Sequence, residues 1–101
     1  MMLNKQLYDL THKQIVFTGQ LASLTRQQAF WLAKALGALP QRNASENLDY
    51  VIAGVIKKSF ETELTTQKLI FAQKHKISII SEHNFLNWAA WKIESLKNFT
   101  N

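Results

Sequence analysis

Three short runs of β-branched and aromatic side chains punctuate this chain: Gln14-Ile15-Val16-Phe17-Thr18, Asp49-Tyr50-Val51-Ile52-Ala53 and Ile77-Ser78-Ile79-Ile80. Runs of this length with almost no polar alternation read as strands covered on both faces. Gly19 and Gly54 close the first two. After the first run, Thr25-Arg26-Gln27-Gln28 has the form of a capping box, in which a threonine hydroxyl and a glutamine amide satisfy backbone donors reciprocally. Ala29, Leu32, Ala33 and Leu36 follow at helical spacing, and Gly37 stands where helices end in left-handed backbone. Ala38 to Gln41 predicts a short strand that Pro40 confines to a sheet edge, and Asn43 to Asn47 a polar turn. Residues 55–66 show no period and are expected to form a loop. Thr66 then caps a helix to about His75, with Leu69 and Ala72 facing inward. Ser81 caps a last helix that runs to about Lys97. Strands that read as apolar runs, alternating with helices, predict an α/β domain with a small parallel sheet and right-handed crossovers.

The organisation expected from this pattern is an N-terminal arm over residues 1–12, a single domain over 13–97 and a short tail at 98–101. A chain of 101 residues has room for one core. Its 47% hydrophobic and 19% charged residues are the composition of a folded globule. The absence of cysteine excludes disulfides, thiol nucleophiles and cysteine zinc sites. No stretch approaches the roughly 20 apolar residues of a membrane span, and the N-terminus lacks the apolar run of a signal peptide, so a cytoplasmic location without a membrane partner is expected. A net charge of +5 and a pI near 9.7 favour polyanionic partners.

Catalytic apparatus is not visible. His12, His75 and His83 have no metal-binding spacing, and no nucleophile elbow, P-loop or dinucleotide-binding glycine turn occurs. The expectation is a non-enzymatic protein without metal or cofactor. The junction after the first strand is more informative. Thr18-Gly19 sets a hydroxyl and an unhindered amide at the carboxyl end of a parallel strand, where open α/β sheets bind ligands. Arg26 then falls in the first turn of a helix, and Lys68 repeats the arrangement near the start of the next. Cations at the positive end of a helix dipole point to an anion nearby. Spacing alone leaves two readings open: a phosphate receptor, or a plain turn with both cations in water.

The stretches Ile15-Val16-Phe17-Thr18-Gly19-Gln20-Leu21, Thr25-Arg26, Leu36-Gly37-Ala38, Ser45, Asp49-Tyr50-Val51-Ile52-Ala53-Gly54, Lys68 with Ala72, and Ile77-Ser78-Ile79-Ile80-Ser81-Glu82 with Phe85-Leu86 together resemble a BRCT domain. The similarity is above all to those of bacterial NAD-dependent DNA ligases and of the large subunit of replication factor C. The resemblance implies a four-stranded parallel sheet in the order 2-1-3-4, with helices 1 and 3 on one face and helix 2 on the other. It implies a non-catalytic, phosphate-recognising module of DNA replication and repair, with Thr18, Gly19 and Lys68 as phosphate ligands. Arg26 matches the arginine of the subgroup that binds 5′-phosphorylated DNA ends.

Such a module takes DNA with a terminal phosphate, or a phosphoprotein, and works with replication and repair proteins. Gln20, Lys57, Lys58, Lys74 and Lys76 are expected to contact the duplex backbone, and Lys57 or Lys58 is the alternative to Lys68 in the pocket. Phe85 stands where phosphopeptide readers carry a tryptophan, and those readers usually work as tandem pairs, so either DNA ends or self-association is favoured. The other function considered is protein–protein interaction, including a homodimer, through Trp88 and Trp91 on the last helix.

Overall fold

The computed structural model describes residues 8–54 and 61–99. It contains β1 (Gln14–Thr18), α1 (Arg26–Ala35), β2 (Leu39–Gln41), β3 (Tyr50–Ala53), α2 (Glu61–Lys74), β4 (Ser78–Ser81) and α3 (Glu82–Phe99). All strand pairs are parallel and the sheet order is β2-β1-β3-β4, as the resemblance implied. Pro40 sits on the edge strand β2, where its missing N–H costs no ladder bond. The register sets Thr18 beside Ala53 and Ala53 beside Ser81, so the carboxyl ends of three strands finish level.

The alternation of side chains along each strand divides the interior in two. Ile15 and Phe17 of β1, Ile52 of β3 and Ile80 of β4 face a layer made by α1 and α3. That layer contributes Ala29, Ala33, Phe85, Trp88 and Ala89, and Phe17 meets Phe85 edge to face at 5.1 Å. Val16 and Val51 face the opposite way, onto Ala72 of α2 with Leu69 and Phe71 beside it. Helices 1 and 3 therefore cover one face and helix 2 the other. The alanines on α1 and α2 bring each helix axis close to the sheet, where a larger side chain would meet an already filled interior.

Three expectations need correction. Residues 61–66 are helical, so Thr66 lies inside α2 and does not cap it. Glu61-Thr62-Glu63-Leu64-Thr65-Thr66 holds no glycine or proline to stop a helix. Trp88 is fully buried, and its indole N–H donates to Asp9 Oδ1 at 3.3 Å, so it belongs to the core and to no exposed interface. Residues 8–12 pack on the domain as well: Leu10 is completely buried and Tyr8 meets Tyr50 edge to face at 5.8 Å. The tie is long-range: Trp88 needs an acceptor for its buried N–H, and Asp9 supplies it from 79 residues away in the chain.

Candidate functional site

The loop after β1 is held from three sides. Gly19 adopts a left-handed φ of +78°, and the Gly54 amide donates to the Thr18 carbonyl at 2.8 Å. A Cβ on Gly54 would stand 2.5 Å from the Gln20 carbonyl oxygen, so only glycine lets the two loops approach this closely. On the other flank, the Glu82 carboxylate in the first turn of α3 accepts from the Ala22 and Ser23 amides at 2.8 and 2.9 Å. The capping box then forms as the sequence predicts: Thr25 Oγ1 accepts from the Gln28 amide, and Gln28 Oε1 accepts from the Thr25 amide, both at 3.0 Å. This fixes Arg26 as the first residue of α1, in a turn that carries no acidic side chain.

Lys68 lies in the middle of α2, not near its start, because the helix begins at Glu61. It is half-buried, and its ammonium donates to the Phe17 carbonyl at 3.5 Å, a long contact for a group that carries three donors. Burial first, and the Arg26 guanidinium second, hold this ammonium below the usual lysine range. Two like charges thus face one space, and among the described residues neither has a carboxylate within salt-bridge distance.

That space is a cleft of about 390 Å³ with Arg26, Arg42 and Lys68 on its walls and Phe17, Phe30 and Trp31 between them; Gln27 and Gln41 complete it. Among the described lining residues none is acidic. An adjoining hollow of about 550 Å³ is formed by residues 19–25 with Gln28, and Arg26 is the wall shared by both. The structure therefore brings Arg26 and Lys68 together and sets Gly19 and the exposed Gln20 on the far side of Arg26. Thr18 is buried at the base of the loop and lines neither hollow.

Other expected contacts fall elsewhere. Lys74 at the end of α2 and Lys76 in the turn after it are exposed just before β4 begins, which places them at the amino end of that strand and outside the described lining of the cleft. Lys57 and Lys58 lie outside the described residues. Trp91 on α3 is 42% exposed, unlike Trp88. Arg42, Gln27, Gln41, Phe30 and Trp31 were not anticipated as site residues, nor was Glu82. Arg42 could have been found from topology, because β2 pairs in parallel with β1 and so delivers the residue after Gln41 to the same edge. Among the described residues no group of three or more His, Asp or Glu side chains is placed to hold a metal, and no described helix is long and apolar enough to cross a membrane.

Residues 8–87 match the family described as BRCA1 C Terminus (BRCT) domain. Among curated relatives, the chain is similar to a DNA ligase of Syntrophus aciditrophicus, with 39% identity over 80 residues, 79% of this chain and 11% of the relative. A DNA ligase of Bradyrhizobium sp. (strain BTAi1) is 37% identical over 86 residues, 85% of this chain and 11% of the ligase. A DNA ligase of Neorickettsia sennetsu is 34% identical over 80 residues, 79% and 11% respectively. The chain thus spans about a tenth of the length of these relatives.

Proposed function

The chain belongs to the BRCT family, and from that premise we propose that it is a non-catalytic module that captures the 5′-phosphate at the end of a DNA duplex. The observation that carries this reading is the convergence of Arg26 and Lys68 on one cleft with no acidic side chain among its described lining residues, at the cost of a depressed lysine. Two cations that repel each other across a gap are stabilised together by a dianion placed between them. Gly19 lines the adjoining hollow across Arg26, and Thr18 holds the loop from its buried base, where its carbonyl accepts from the Gly54 amide. Such contacts touch no base edge, so binding is independent of sequence and weakens steeply with salt.

The test sets a 5′-phosphoryl duplex, the same duplex without phosphate and a phosphoserine peptide in competition. The phosphorylated duplex wins, and Lys68→Ala weakens its binding by roughly ten- to a hundredfold, because a charge-assisted hydrogen bond contributes about 1.5–3 kcal/mol. Equal affinity for phosphorylated and hydroxyl ends overturns the reading; a preference for the peptide transfers the pocket to a phosphoprotein.

A second reading, self-association through α3, draws on exposed Trp91, with Ile93 and Leu96 also exposed on that helix, and not on buried Trp88. Sedimentation at several concentrations, with Trp91→Ala as the control, decides it: a strict monomer at every concentration removes it.

A further inference from the structure

We propose that Trp31 and Phe30 form a stacking shelf for an unpaired terminal base, so that the module prefers a phosphorylated end with a single-stranded overhang to a blunt one. This rests on the phosphate reading above and extends it from the phosphate to the nucleoside that bears it.

Trp31 is the most exposed aromatic among the described residues, at 51%, and it lines the same cleft as Arg26 and Lys68. Among the described residues Trp31 belongs to neither core cluster, and the buried positions of α1 are Ala29 and Ala33. Phe30 braces the indole edge to face at 5.5 Å, and the Arg42 guanidinium lies 4.5 Å from the Phe30 ring centre. The Lys34 ammonium sits 5.2 Å from the Trp31 ring centre. This last contact is a weak cation–π interaction at the surface, and base–aromatic stacking exceeds it. A base that takes the ring displaces the ammonium toward the next phosphate along the strand.

The chemistry of the cleft selects this occupant. An apolar peptide would leave three unpaired cations beside it, whereas a nucleotide supplies both the anion and the flat π surface. Gln27 and Gln41 line the cleft as neutral side chains, and the Gln41 amide already donates to the Leu39 carbonyl at 3.1 Å, so the shelf takes a base by stacking and not by its edge. The volume of about 390 Å³ falls at the small end of ligand pockets and suits a single nucleotide. A base paired at a blunt end is already stacked and must be flipped out at a cost before it can reach the shelf, while an overhang base is not.

The probes are short duplexes with a one-nucleotide 5′ overhang, phosphorylated or not, with the overhang base present or replaced by an abasic sugar. The wild-type chain binds the phosphorylated, base-bearing overhang about tenfold more tightly than its abasic counterpart. Trp31→Ala removes that difference and Trp31→Phe keeps most of it, and both variants remain folded because the side chain is exposed. In a Trp91→Phe background, where Trp88 is buried, the overhang base also quenches Trp31 fluorescence. Phosphate dependence without any base preference, or a base preference that survives Trp31→Ala, overturns the shelf and leaves the phosphate pocket intact. Loss of phosphate dependence altogether overturns the pocket itself, and the shelf with it.

Discussion

Lys68 carries a cost in the free protein that an anion bound as proposed would relieve. Its ammonium is held below the usual lysine range by burial and by Arg26, so between its folded and unfolded pKa the unfolded chain binds more protons. Stability of the free protein therefore rises with pH across that window, and the cost is present in full below it. An anion in the cleft reverses the effect by favouring the charged form. The affinity for a phosphorylated end accordingly falls on the alkaline side at a lower pH than an ordinary lysine would give. Lys68→Arg, which cannot deprotonate in this range, moves that loss out of reach. Titration of binding between neutral and alkaline pH for both proteins measures it; identical profiles refute a titrating Lys68. At Gly54 the constraint is steric. Gly54→Ala sets a methyl 2.5 Å from the Gln20 carbonyl and must push the loop aside. The expected loss is about 1–3 kcal/mol in denaturant unfolding, with weaker phosphate binding alongside. An unchanged unfolding midpoint would show that the loops yield freely.

Among the elements, the β1–α1 connection is the one whose shape matters to the site, and a residue from α3 holds it. Glu82 accepts two backbone amides of that loop, at Ala22 and Ser23, across some sixty residues of chain. Glu82→Ala leaves those donors to water and loosens the approach to Arg26. Hydrogen exchange of the Ala22 and Ser23 amides is expected to accelerate at least about tenfold, since a carboxylate-bound amide contributes about 1.5–3 kcal/mol. Phosphate affinity falls by a smaller factor than in Lys68→Ala, because Glu82 positions the loop and does not touch the ligand. If exchange is unaltered, the loop is held by the Gly54 contact alone. The entry into α1 needs no such help: the Thr25 and Gln28 capping box is local, which is why it was legible from four consecutive residues. The start of α2 was not legible, because residues 61–66 carry no apolar period and only their lack of breakers marks them as helix.

For the molecule as a whole, the two tryptophans of α3 separate core from surface. Trp88→Ala is expected to cost about 3–5 kcal/mol of folding stability, whereas Trp91→Ala stays within roughly 0.5 kcal/mol. Thermal or denaturant unfolding compares them directly, and similar losses for both would mean that α3 packs otherwise than described. A separation of three residues on a helix leaves the two side chains only about 60° apart, so the sequence does not show which of them faces inward. That was settled by Asp9, brought from the start of the packed chain to accept the Trp88 N–H. The apolar runs, the capping box and the terminating glycines determined the elements and the α/β class without any long-range information, because each acts within a few residues. The Thr18-Gly19 turn and the cation at the head of α1 were readable in the same way. Only the tertiary structure decided that Lys68 reaches Arg26 from mid-helix, that β2 delivers Arg42 to the same cleft, and that Trp31 flanks them while Lys74 and Lys76 do not. Those placements depend on strand order and on where α2 begins, and neither leaves a mark on the residues it brings together.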